Sequence, residues 1–171
     1  MKHLYAPWRQ KYSKENKESI KKEGCPFCEK FKLSDSEDAK SYILKRFKHN
    51  AVILNLYPYN AGHLMVIPYE HKAQLHELSN DTLNELMQLT SKSSEILQQE
   101  LGAEGINIGL NLGRNAGGGI PQHLHMHVLP RWQGDTNFLA VLADTKPISF
   151  DLNEIYKDLL PYFKELKYKN E

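Results

Sequence analysis

Residues 123–129 read His-Leu-His-Met-His-Val-Leu, and this strict alternation of imidazole with apolar side chains is the tightest constraint in the chain. Period-two alternation marks an extended strand, because successive side chains point to opposite faces. It predicts a last strand from His123 to Leu129, with Leu124, Met126 and Val128 in the core and His123, His125 and His127 on the other face. Three imidazoles in a row are poor core packing, since each needs hydrogen-bond partners once buried. A strand rises roughly 3.3 Å per residue, so His123 and His127 stand about 13 Å apart along it. Zn–N bonds are only ~2.0–2.1 Å, so the row cannot serve one ion as a unit. At most a neighbouring pair or a single histidine binds metal. At least one neutral imidazole is left as a nucleophile and proton carrier.

The rest of the chain supplies the sheet for such a strand. Tyr42–Phe47 and Ala51–Leu56 are β-rich stretches around Lys48-His49-Asn50, a hairpin pattern, and His63–Ile67 reads as a third strand ended by Pro68. Residues 80–101 form a helix pattern, with Leu83, Leu86, Met87, Thr90, Ser94, Leu97 and Leu101 on one face. Gly105–Leu112 alternates again, putting Ile106, Ile108, Leu110 and Leu112 on the buried side. Asp151–Lys167 has a helical pattern that Pro161 interrupts or restarts. Strands before and after one clear helix fit an antiparallel α+β fold better than βαβ units. The glycines of Arg114–Gly119 lie between Asn111 and the histidine row, and glycine turns present main-chain N–H groups to anions. A phosphate cradle beside a nucleophile points to phosphoryl or nucleotidyl chemistry.

The only two cysteines are Cys25-Pro-Phe-Cys28. The spacing suits either a redox pair or half of a zinc site, and a zinc site needs two more ligands. His3, His49, His63, His71, His76 and the histidine row are all candidates, and spacing alone does not choose among them. Net charge is +1, yet residues 1–50 carry 13 Lys and Arg against 7 Asp and Glu. Glutamates are interleaved with the lysines, and the aromatics of residues 9–50 are scattered, so a nucleic-acid footprint is not expected. No apolar run approaches the roughly 20 residues of a membrane span, and the first residues lack the apolar stretch of a signal peptide. These features lead us to expect a soluble, cytoplasmic protein.

His123-Leu-His125-Met-His127-Val-Leu resembles the His-x-His-x-His signature of the histidine triad nucleotide-binding superfamily. Asn55 with Gly62-His63 and Val66-Ile67-Pro68 is similar to that family's ribose-side strands. Cys25, Cys28, His71 and His123 match its zinc-binding bacterial members. The run Asn111–His123 with Pro130–Phe138 is similar to the diadenosine tetraphosphate phosphorylase-like branch. The resemblance covers residues 25–138, with residues 1–24 a polar arm and 139–171 a C-terminal helical extension. It implies a five-stranded antiparallel sheet with helices, dimerised so that two sheets join, and a structural zinc held by Cys25, Cys28, His71 and His123.

The implied reaction is hydrolysis or transfer at the α-phosphate of an adenine nucleotide or dinucleoside polyphosphate, through a covalent nucleotidyl-histidine. His125 would be the nucleophile and His127 would contact the phosphate and the leaving oxygen. Asn111, Gly118 and Gly119 would hold the α-phosphate, Asn55 the ribose, and Trp132 the nucleotide. Many relatives have Gln, Ser or Thr where Gly118 and Gly119 stand, so main-chain donors are expected there. A non-catalytic zinc-stabilised nucleotide-binding module is the competing function.

Overall fold

The computed structural model describes residues 24–135 and 150–167, together with Phe138 and Leu142 singly. The lysine-rich arm and much of the stretch after residue 138 lie outside the described residues. Five strands form one antiparallel sheet in the order β1-β2-β3-β5-β4: β1 Ile43–Arg46, β2 Asn50–Leu54, β3 Leu64–Pro68, β4 Gly105–Leu110 and β5 Met126–Arg131. Among the described residues four α-helices accompany it: α1 Pro26–Lys32, α2 Asp38–Ser41, α3 Asn80–Glu100 and α4 Leu152–Glu165. This is the expected α+β class.

Every residue of β2 and β3 is buried, as central strands covered on both faces require. Their alternation divides two cores. Val52, Leu54, Leu64, Val66, Met126 and Val128 pack under α3 and α4, while Ala51, Ile53, Met65 and Ile67 meet Cys25 and Phe27 on the opposite face. Helix α3 starts at Ser79, whose hydroxyl accepts the Thr82 N–H, and buries Leu86, Leu89, Thr90, Ser93, Ile96 and Leu97. Met87, expected inside, is 55% exposed, because the stripe that meets the sheet is centred on Leu86, Leu89, Ser93 and Leu97.

Two further expectations change. Helix α4 runs unbroken through Pro161, which lies on its exposed side. Tyr156, Leu159 and Phe163 hold both halves of α4 against the core, which offsets the hydrogen bond that a proline removes. Strand β4 is less buried than its alternation suggests. Among the described residues it pairs only with β5, and Ile108 is half exposed on this edge strand.

Candidate functional site

The histidine row does not lie wholly on a strand. β5 begins at Met126, and only His127 sits in the ladder, opposite Met65 and Gly109. Upstream, the backbone spends its polar groups elsewhere. The Leu124 N–H donates to the Lys72 carbonyl, and the His123 carbonyl accepts from the His125 ring at 2.8 Å. The two-faced pattern survives the loss of the ladder. Leu124, Met126 and Val128 enter the helix-side core, and the histidines share the other face with the cysteine knuckle.

At one end of the row, Cys25, Cys28, His71 and His123 bring one ligand atom each to within 4.8 Å of one another. Cys25 caps α1 and Cys28 lies on its first turn. Their sulfurs stand 3.2 and 3.5 Å from His123 Nδ1, and Cys28 Sγ is 3.2 Å from His71 Nδ1. The opposite nitrogen of His123 lies 2.8 Å from the Pro68 carbonyl, which can only accept. The proton is therefore on Nε2, and the Nδ1 lone pair points at the sulfurs, the arrangement a metal-binding imidazole needs. Burial and the neighbouring Cys25 push the Cys28 thiol up to about 11. Two soft thiolates and two imidazoles at this spacing fit tetrahedral structural zinc, and the donor set itself selects that metal.

His125 is buried and differently tied. Its Nδ1–H donates to the His123 carbonyl, leaving the lone pair on Nε2, for which the described residues supply no hydrogen bond. Burial lowers its pKa, which keeps the ring neutral near pH 7. The Phe27 ring fixes it from one side at 5.2 Å and His127 from the other at 4.9 Å.

His127 is held by His63, one of the sequence's candidate zinc ligands, which lies outside the metal cluster. The Tyr59 N–H donates to His63 Nδ1 at 3.2 Å, so neutral His63 carries its proton on Nε2 and donates it to His127 Nδ1 at 3.0 Å. Burial, with His127 and His125 nearby, pushes His63 down to about 3, so it stays neutral. A neutral His127 must then carry its own proton on Nε2. Asn111 reaches that nitrogen at 3.4 Å, which asks its side-chain amide to present the oxygen there. The cue for His63 was the glycine before it. A Cβ at Gly62 would come within 2.5 Å of Leu101 Cδ1, and the turn is shaped around that approach.

The remaining expected residues are distributed unevenly. Asn55 lies beside His63, with its amide nitrogen 3.4 Å from His63 Nδ1 and its oxygen accepting the Tyr57 N–H. Gly118 donates its N–H to the Gly113 carbonyl at 3.2 Å, and a Cβ there would meet the Asn111 oxygen at 2.8 Å. What Gly118 contributes here is closeness of two backbone segments. Gly119 follows it in the same loop. Trp132 is set apart, beyond the far end of β5, with its indole N–H donating to the Leu101 carbonyl. Beside it Asp135 grips Arg131 and Asn60, which ties the turn before His63 to β5.

Comparison with known proteins agrees with this geometry. The HIT domain matches residues 36–134. The chain is 39% identical over 153 residues to an AP-4-A phosphorylase of Mycobacterium tuberculosis, covering 86% of this chain and 77% of that protein. A zinc-bound histidine triad family protein from Mycobacterium smegmatis superposes with a TM-score of 0.66 at 25% identity, covering 83% of this chain and 94% of that one. A hypothetical histidine triad nucleotide-binding protein from Sulfolobus tokodaii gives 0.60 at 30% identity, over 82% and 90% of the two chains. Histidine row, zinc-type knuckle and five-stranded sheet thus occur together, and the chain belongs to the HIT-domain, or histidine triad, family.

Proposed function

We propose that this enzyme transfers a nucleotidyl group from a dinucleoside polyphosphate, as a phosphorylase or a hydrolase, through a covalent bond to His125. The observation that carries the reading is the His125 tautomer. Its Nδ1–H is committed to the His123 carbonyl, so the nucleophilic lone pair is fixed on Nε2. In the first displacement Nε2 attacks the α-phosphorus, and the bond to the leaving oxygen breaks. His127 donates a hydrogen bond from its Nε2–H to that oxygen, which leaves as the phosphate anion. In the second, inorganic phosphate or water attacks the same phosphorus, the N–P bond breaks with its electron pair returning to His125 Nε2, and the acceptor's proton passes to solvent. Asn111 holds the α-phosphate, Asn55 the ribose and Trp132 the nucleotide, while the Gly117 and Gly118 N–H groups stay on the Arg114 and Gly113 carbonyls. Cys25, Cys28, His71 and His123 would hold a structural zinc, which would supply rigidity to the segment that carries His125.

The similarity to an AP-4-A phosphorylase supports phosphate as the acceptor. Incubation with diadenosine tetraphosphate, with and without inorganic phosphate, followed by chromatography, tests it. ADP plus ATP that appear only with phosphate are expected. AMP plus ATP would make the protein a hydrolase, and no turnover here or on nucleoside phosphoramidates would leave a binding module. We also propose a homodimer joined along the β4 edge, where Ile108 is exposed and the strand has one neighbour. Light scattering should give twice the chain mass at micromolar concentration, and a stable monomer would contradict it.

A further inference from the structure

We propose that Cys25 and Cys28 are a redox modification site. A hydroperoxide joins them in a disulfide, which removes the zinc ligands and unseats His125. The inference starts from placement. One cysteine caps α1 and the other lies three residues on, and their sulfurs are within 4.8 Å. Residues three apart on a helix have Cβ atoms about 5–6 Å apart, within a modest shift of the span a disulfide bridges. Exposure sets the order of attack, since Cys25 is buried whereas Cys28 is partly exposed. Metal coordination deprotonates a thiol, and the thiolate is the form that peroxide oxidises. The chain has no other cysteine, so no competing partner exists within it.

The chemistry balances in two steps. The Cys28 thiolate attacks one peroxide oxygen, the O–O bond breaks, and Cys28 becomes a sulfenic acid as hydroxide leaves. The Cys25 thiolate then attacks the Cys28 sulfur, forming the S–S bond and expelling a second hydroxide. Two electrons pass from sulfur to peroxide oxygen, and His71 and His123 alone are too few ligands to retain zinc.

The consequence reaches the nucleophile because His123 serves two masters. Its ring faces the sulfurs, and its carbonyl holds the His125 Nδ1–H at 2.8 Å. Phe27, inside the Cys-Pro-Phe-Cys turn, packs its ring on both His123 and His125, at 5.4 and 5.2 Å. Drawing the two sulfurs to about 2.05 Å therefore moves the turn that braces both rings.

That this switches turnover rests on the proposed role of His125, so three readouts are taken on the zinc-loaded full chain. Treatment with hydrogen peroxide or diamide is followed by thiol titration, by zinc release to a colorimetric chelator, and by imidazole ¹⁵N NMR of His125. We expect two thiols and one zinc lost per chain in step, loss of the His125 Nδ1–H signature, and at least a tenfold fall in turnover. Reductant plus zinc should restore all of them. In Cys28→His, which cannot form the disulfide, peroxide should release zinc at least tenfold more slowly. Thiol loss without zinc release, disulfides between chains, or an unchanged His125 signature after zinc release would each overturn the proposal. Untreated protein without nucleotide turnover would instead refute the assigned function, and the thiol, zinc and NMR readouts would still decide this one.

Discussion

His123 and His125 stand two residues apart, both buried and on the same side of the chain, yet their rings are committed differently. His123 uses both nitrogens, one donating to Pro68 and the other facing two sulfurs. His125 uses one, donating to the His123 carbonyl. Burial lowers the pKa of both, to about 4 for His123, so neither charge nor exposure distinguishes them. The number of committed ring nitrogens separates the proposed zinc anchor from the proposed nucleophile, and the carbonyl of the first orients the ring of the second.

Substitution at the two positions should break the molecule in opposite ways. His125→Ala is expected to cut turnover by on the order of 10⁴–10⁶, as loss of a nucleophile does. Nucleotide affinity by calorimetry should stay within a few-fold, and the melting temperature nearly unchanged. His123→Ala should instead lose zinc to below half an equivalent and cost about 3 kcal/mol of stability, a fall of roughly 6–12 °C for a chain of this length. A His123→Ala protein that kept its zinc and melting point would erase the distinction.

The other end of the row sharpens it. His63 touches no expected metal ligand, and it sets the His127 tautomer. His63→Ala should slow turnover about 10²-fold, the order assigned to loss of one aimed hydrogen bond to the developing charge. His63→Gln, whose amide can still donate to His127, should recover part of the loss. Kinetics at saturating substrate compare the two. A smaller effect follows from titration. His63 is held down to about 3 against about 6.5 in the unfolded chain, so between these values the unfolded state binds more protons. Its contribution is complete above pH 6.5 and is lost as pH falls towards 3, about 1–2 kcal/mol by pH 5. Urea unfolding at pH 7 and pH 5 should show this loss in wild type and a flatter response in His63→Gln.

Alternation was enough to read the two faces of 123–129, because side-chain direction depends only on extended backbone, whether or not a ladder is present. It could not locate the start of β5, which is decided by a carbonyl going to an imidazole instead of a neighbouring strand. The cysteine pair was legible as half a metal site. Spacing alone left the other two ligands open, the family resemblance named His71 and His123, and long-range packing is what brings His71 to α1. His63 was read as a zinc candidate and as part of a strand, because nothing local shows that its ring reaches His127 on another strand. Phe27 was hidden between two cysteines. Met87 and Pro161 show the limit of local pattern, since tertiary contacts chose the buried stripe of α3 and carried α4 past its proline.

The most direct test is to capture the intermediate. Wild-type protein mixed with labelled diadenosine tetraphosphate, quenched without acid to spare the N–P bond and digested, should yield one peptide carrying AMP, on His125, by mass spectrometry. AMP on His123 or His127 would contradict the account, as would steady turnover with no adduct on any histidine.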